Sequence, residues 1–206
     1  MRVALVLRSG GDYAAKHVQV LARQITTWLP GADLFCLTDV AIPGVAAIPL
    51  EYDWPGWWSK MELFRPDIAD DLLYFDLDTV VCGPLDDIAA VNRLTLLRDL
   101  YCKGTHRYDR LQSAVMYLPK ACRAEIWQNF LADPRRALKN HLIGGDQEFL
   151  EKYWRASAAR WQDVVGNQIV SWKVHCRRGI PEGVRVVCFH GKPRPWAVSE
   201  FEHRYK

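Results

Sequence analysis

Arg2-Val3-Ala4-Leu5-Val6-Leu7, running into Arg8-Ser9-Gly10-Gly11-Asp12, is the stretch on which the fold class turns. After its leading arginine the first segment is β-branched and aliphatic with no polar alternation, the pattern of a strand buried on both faces. The glycine-bearing stretch breaks it. From Tyr13 to Trp28 the apolar positions Ala14, Val18, Leu21, Ala22, Ile25 and Trp28 then keep helical spacing until Pro30-Gly31. This strand-loop-helix unit recurs less regularly downstream. Leu34-Phe35-Cys36-Leu37 reads as a second strand ending at Thr38-Asp39, and Val45 to Leu50 as a short third. Trp58 to Phe64 is expected to be helical, closed by Arg65-Pro66 because a residue before proline avoids the α region. Leu72-Leu73-Tyr74-Phe75 is a further buried strand, Ser113 to Leu118 another, and Val184 to Phe189 the last; Ala121 to Leu131 and Asp146 to Tyr153 read as helices. Strands alternating with helices predict an α/β architecture around a mostly parallel sheet, with a ligand site beyond the strands' carboxyl ends.

Length and composition limit the remaining possibilities. At about 150 residues per domain, 206 residues favour one domain spanning 1–206, and no repeat, linker or low-complexity tract divides it. Half the residues are hydrophobic and a quarter charged, the make-up of a packed chain and not of a disordered one. Val3 to Leu7 is far shorter than the roughly 20 apolar residues of a membrane span, and the N-terminus lacks the pattern of a secretory signal. The six cysteines, Cys36, Cys82, Cys102, Cys122, Cys176 and Cys188, show neither metal-ligand spacing nor a disulfide framework, so free thiols in the cytoplasm are expected. A net charge of +3 is too small to announce a nucleic-acid binder. Most of the nine tryptophans are expected in the core. Trp54, Trp57 and Trp58 stand between lining a sugar pocket and packing beneath it.

Chemistry gathers where a buried strand ends. Asp76 and Asp78 follow Leu72-Leu73-Tyr74-Phe75 with Leu77 between them, and in extended chain this spacing points both carboxylates to one side. Paired hard oxygen donors suit Mg²⁺ or Mn²⁺, whose shell is commonly completed by water and substrate phosphates. On its own the motif serves equally well as a turn cap.

Its setting carries a resemblance. Phe75-Asp76-Leu77-Asp78-Thr79-Val80-Val81, preceded by Lys60 in Trp58-Ser59-Lys60-Met61-Glu62-Leu63-Phe64, resembles the glycogenin-like members of glycosyltransferase family 8. In the same order, Gln112-Ser113-Ala114-Val115-Met116 resembles the family's Asn-Ser-Gly-Val, and Gly144-Gly145-Asp146-Gln147 its Gly-Gly-Asp-Gln. His190-Gly191-Lys192-Pro193-Arg194-Pro195-Trp196 is similar to a shortened form of its terminal H-x-x-G-x-x-K-P-W. The resemblance implies a GT-A, Rossmann-like nucleotide-sugar fold and metal-dependent transfer of a sugar from a UDP-linked donor with retention of configuration. It implies Asp76, Asp78 and His190 as metal ligands, with Lys192 and Arg194 near the diphosphate and Lys60 between diphosphate and sugar. Leu77, Gln112 and Ser113 would line the donor site, Arg8, Ser9 and Tyr13 would hold the uridine, and Asp146 and Gln147 would flank the reacting carbon. Departures are Gln112 for asparagine, Ile143 where an acid is common, and a terminal motif two residues short with Arg194 for lysine.

Each residue also has an ordinary reading. Asp146 suits a helix N-terminus, Lys60 a surface helix, Tyr13 the core at a helix start, and His190 a hydrogen-bonded strand end. Asp163 to Gly166 and Ser171 to His175 are expected to form an irregular surface stretch. The alternative enzyme is a sugar-1-phosphate nucleotidyltransferase, which should carry a glycine-rich, basic phosphate loop after its first strand; Arg8-Ser9-Gly10-Gly11 is a faint version. A non-catalytic sugar- or nucleic-acid-binding module of the same fold is the other alternative. The acceptor is open among glycan, protein and modified nucleic acid. The last is suggested by Lys173, Arg177, Arg178, Arg185, Lys192, Arg194, Arg204 and Lys206, which also suit a solvated surface.

Overall fold

A computed structural model describes residues 1–100 and 109–205; Cys102 and Lys206 lie outside the described residues. Strands β1 (Arg2–Leu7), β2 (Asp33–Thr38), β3 (Ala46–Pro49), β4 (Leu72–Phe75), β5 (Thr79–Val81), β6 (Thr95–Arg98), β7 (Leu111–Leu118), β8 (Ala159–Arg160), β9 (Ile169–Ser171) and β10 (Val186–Cys188) form two sheets. The larger runs β3-β2-β1-β4-β7-β6-β8 and the smaller β5-β10-β9. In the larger sheet β3, β2, β1 and β4 are mutually parallel, β7 is antiparallel to β4 and β6, and β8 is parallel to β6. The mostly parallel α/β sheet is therefore as expected. Its reversal at β7 was not legible, because a strand with all eight residues buried has no alternation from which to read a partner.

Helices α1 (Ala15–Trp28), α2 (Asp86–Ala89), α3 (Lys120–Ala132), α4 (Pro134–Asn140), α5 (Gly145–Trp154), α6 (Trp161–Val164), α7 (Trp172–His175) and α8 (Ser199–Glu202) complete the fold, with 3-10 segments at Gly56–Phe64, Gly166–Gln168 and Pro195–Ala197. Strand β1 shows why both faces are covered. Ala4 and Val6 enter a core with Met61, Phe64, Ile126, Phe130 and Phe149, while Val3, Leu5 and Leu7 enter a second with Val18, Leu21 and Ile25 of α1. The period-two side-chain alternation sends each set to its own face. A third cluster, Val80, Val170, Val187, Phe189 and Phe201, packs about the small sheet. Trp58, Trp127, Trp154 and Trp161 are buried, and among the described residues no helix is long and apolar enough to cross a membrane. The five described cysteines are free.

The stretch expected to be irregular is instead α6, a 3-10 turn, β9 and α7. Its strand is three residues long and finds its partner in β10, so neither length nor local pattern announced it. The expected helix from Trp58 is a nine-residue 3-10 segment from Gly56. Three residues per turn put Trp57 and Lys60 on one side.

Candidate active site

Pairing brings distant segments to one edge of the sheet. Because β7 runs antiparallel to β4, its beginning lies opposite the end of β4, and the Asp76 N–H donates to the Ala114 carbonyl at 2.8 Å. Strand β10 pairs antiparallel with β5, and the Phe189 N–H donates to the Asp78 carbonyl at 3.1 Å, which brings the His190 turn beside the aspartates. At His190 the backbone enters the left-handed region, φ +32. The loop after β1, the 3-10 segment and the N-terminus of α5 close a cavity of about 740 Å³ at the carboxyl edge of β1 and β4.

Arg8, Ser9, Tyr13, Lys60, Asp76, Leu77, Asp78, Gln112, Ser113, Asp146, Gln147, His190 and Arg194 all line this cavity. Lys192 is exposed and does not line it. Trp57 forms part of the wall, whereas Trp58 is buried and Trp54 packs against the core beneath.

The aspartate pair is not held as extended chain. Asp76 to Asp78 forms a turn between β4 and β5, tied by hydrogen bonds from the Thr79 N–H (3.0 Å) and hydroxyl (2.7 Å) to the Asp76 carbonyl. Both side chains reach the cavity, each with different partners. Asp76 Oδ1 accepts from the Tyr74 hydroxyl at 2.6 Å and from Lys60 Nζ at 3.1 Å. Asp78 Oδ2 meets Arg194 Nη1 at 2.5 Å and the Gly191 N–H at 3.4 Å. Burial and then the charge of Asp76 push the Asp78 carboxyl above the usual carboxylate range, against the pull of Arg194.

Lys60 is no surface lysine. It is 7% exposed, and its ammonium reaches Asp146 Oδ2 at 2.8 Å, Ser113 Oγ at 3.0 Å and Asp76 at 3.1 Å. Burial works to lower its pKa, yet Asp146 and Asp76 outweigh burial and hold the ammonium charged. The Ser113 hydroxyl in turn donates to Asp146 Oδ2 at 2.9 Å. Burial raises the Asp146 carboxyl against the opposing pull of Lys60. Asp146 lies in the first turn of α5 and makes no side-chain cap, so its partners face the cavity, not the helix end. Gly145 before it adopts φ +56, and a Cβ there would meet Trp57 Nε1 at 2.1 Å, so only glycine admits the indole.

At the other end, Arg194 bridges Asp78 and Asp12 (3.0 Å to the latter) and lies 4.8 Å from the Tyr13 ring centroid. Arg8 pairs with Asp53 and, at 3.6 Å, with Asp39. Asp39 also accepts from the Ser9 N–H (2.8 Å) and hydroxyl (2.6 Å), which fixes the loop after β1. Asp12, Asp39 and Asp53 escaped the sequence reading. Asp39 had a usable signal, since it directly follows β2 on the edge where parallel sheets place ligands.

The residues present fit a hard divalent cation by charge and donor type. Five aspartates line the cavity (Asp12, Asp53, Asp76, Asp78 and Asp146) against the three cations Arg8, Lys60 and Arg194. A diphosphate entering this excess of negative charge needs a positive ion with it. A ready-made cage is not present: among the described residues no three His, Cys, Asp or Glu groups are gathered for a metal. His190 Nε2 lies 2.6 Å from Ser171 Oγ. Burial, followed by Lys173, lowers this histidine to about 4, so its ring is neutral at physiological pH, the form that ligates metals.

No family model matches the chain, and no curated protein matches it. Solved structures do. The galactosyltransferase LgtC, in complex with donor and acceptor sugar analogues, superposes with a TM-score of 0.74 at 13% identity over 100% of this chain and 95% of its own. The glycosyltransferase GlyE of Streptococcus pneumoniae TIGR4 gives 0.66 at 13% identity, over 99% of this chain and 58% of its own. The bifunctional glycosyltransferase WbbM in its apo form gives 0.66 at 12% identity, over 98% and 48%. The chain therefore has the GT-A glycosyltransferase fold, in keeping with the sequence resemblance.

Proposed function

We propose that this protein is a metal-dependent, retaining glycosyltransferase that moves a sugar from a UDP-linked donor to a hydroxyl acceptor. The observation that carries the reading is one cavity in which Asp76 and Asp78 from the turn after β4, Ser113 from β7, Asp146 from α5 and Arg194 from the C-terminal segment converge on a glycosyltransferase fold. In this reading the loop of Arg8, Ser9 and Tyr13 receives the uridine, and Arg194 receives the diphosphate. Asp146 and Gln147 orient the sugar. Mn²⁺ or Mg²⁺, held by Asp76 and Asp78 with His190, supplies positive charge to the departing diphosphate when bound.

The chain's own groups account for the remaining demands. Arg194 exchanges part of its pairing with Asp78 and Asp12 for phosphate oxygens, a charge-assisted contact on the side where negative charge accumulates. Lys60 fixes the carboxylate of Asp146 beside the anomeric centre. In this reading the acceptor hydroxyl attacks from the face that the diphosphate leaves. Its proton passes to a phosphate oxygen of the leaving group. The nucleotidyltransferase alternative is not favoured, because the solved structures that share the fold are glycosyltransferases.

Incubation of the purified protein with UDP-sugars and Mn²⁺ should release UDP slowly, and chelation should stop the release. Asp78→Asn should abolish metal-dependent donor binding with little change in Tm, since burial and Asp76 already oppose ionisation of this carboxyl. Undiminished turnover in that variant rejects the assignment.

A further inference from the structure

Arg194 stands on one of the two aspartates proposed to hold the metal. Its Nη1 meets Asp78 Oδ2 at 2.5 Å and its Nη2 meets Asp12 Oδ2 at 3.0 Å, so the guanidinium spans two carboxylates that line the cavity. Asp78 is 4% exposed and also accepts the Gly191 N–H at 3.4 Å and the Tyr13 hydroxyl. A divalent ion brought to either oxygen of this carboxylate lies beside the guanidinium, and in a buried setting their repulsion is weakly screened. Asp76 is paired in its turn with Lys60, so neither aspartate offers an uncompensated charge to an ion arriving alone. The guanidinium is itself incompletely satisfied: its Nε is buried with no hydrogen-bond partner among the described residues. A phosphate accepts two N–H groups of such a fork side by side. Asp12 belongs to the loop after β1, the loop proposed to receive the uridine. An arginine that keeps Asp12 can therefore turn its other arm from Asp78 to a diphosphate bound there.

We infer that Arg194 holds Asp78 in place of a divalent cation and gives that carboxylate up only to a diphosphate, so that metal and nucleotide bind together and the ion alone is kept out. The inference rests on the transferase reading and adds the coupling between its two ligands. The nucleotide draws the guanidinium onto its phosphates and so frees Asp78 for the ion; by linkage the ion tightens the nucleotide in equal measure. Asp12 is the pivot, a positioning residue that keeps Arg194 within reach of both partners.

The test titrates the full chain with Mn²⁺ alone, followed by its paramagnetic resonance signal, and with UDP in saturating Mn²⁺, followed by calorimetry. Arg194→Gln should bind Mn²⁺ alone about tenfold more tightly than the parent and UDP about tenfold more weakly. These opposite signs separate the device from a damaged fold, which weakens both. Arg194→Lys, with one ammonium in place of the two-armed fork, should show a smaller gain for Mn²⁺. Lys16→Gln is the control for charge at a distance: Lys16 is exposed and, like Arg194, acts on His17, and its loss should leave Mn²⁺ affinity within twofold. Mn²⁺ bound no more tightly by Arg194→Gln, or tightened as much by Lys16→Gln, overturns the inference while UDP binding keeps the transferase reading intact. UDP affinity that does not fall in Arg194→Gln overturns it as well, because the guanidinium then has no phosphate to move to. Failure of every form to bind either Mn²⁺ or UDP overturns the transferase reading and this inference with it.

Discussion

Ser113 shows how much rests on one hydroxyl. Its oxygen accepts from Lys60 and its O–H donates to Asp146, and the residue is 3% exposed, so no water replaces it cheaply. Ser113→Ala leaves an ammonium and a carboxylate each short of a buried partner, and the expected cost is about 2 kcal/mol in denaturant unfolding. Turnover should fall about tenfold through kcat while donor affinity changes less, because the loss is in how Asp146 is held. Ser113→Thr keeps the hydroxyl and should recover most of both. A Ser113→Ala protein as stable and as fast as the parent would remove this residue from the account. Ser113 was named from sequence through the resemblance of Gln112-Ser113-Ala114-Val115-Met116 to the family's Asn-Ser-Gly-Val. Its partner Lys60 was named too, but with a surface helix as its ordinary reading, since the pairing spans 53 residues of chain.

Among the elements, α1 joins the first strand to the cavity and also carries a pH-sensitive contact. His17, 4% exposed, accepts the Ala14 N–H on Nδ1 at 2.8 Å and stacks on Trp196 with centroids 4.0 Å apart. Burial, then the nearby charges of Lys16 and Arg194, lower its pKa from the ordinary 6.5 to about 4. Between those values the unfolded chain binds a proton on this imidazole that the folded chain does not. Stability is therefore complete above pH 6.5 and is lost as pH falls through 4, by up to about 3 kcal/mol from this residue. His17→Gln keeps an acceptor for the helix start without a titrating group and should flatten that part of a Tm-against-pH curve. A curve of unchanged slope would mean the protons are taken up elsewhere. The helix itself was legible because its apolar spacing is long and regular. Strands β5, β6, β8 and β9, of two to four residues each, were not, because their pairing is decided by remote chain and leaves no periodic trace.

Across the whole molecule, Asp76 and Asp78 were legible as paired carboxylates after the buried strand β4, whereas Lys60, Ser113, Asp146, His190 and Arg194 were named through the resemblance of short blocks to the family. Asp12 and Asp53 lie in loops and Ser171 ends the three-residue strand β9, and all three acquire meaning only once the chain returns to them. The C-terminal segment makes that return. It carries Arg194 to Asp78 and anchors itself two residues later through Trp196, which contacts the rings of Tyr13, His17 and Tyr205. Fold stability and cavity shape are therefore coupled at a single indole. Trp196→Ala removes three ring contacts from a half-buried position and should cost about 2 kcal/mol. Because Arg194 sits between this anchor and the cavity, donor affinity should fall together with Tm, by about tenfold. Trp196→Phe, which retains a ring, should restore stability in large part and affinity with it. Trp196→Ala with lowered Tm and unaltered donor affinity would show that Arg194 keeps its place on Asp78 without the anchor, and the coupling argued here would fail.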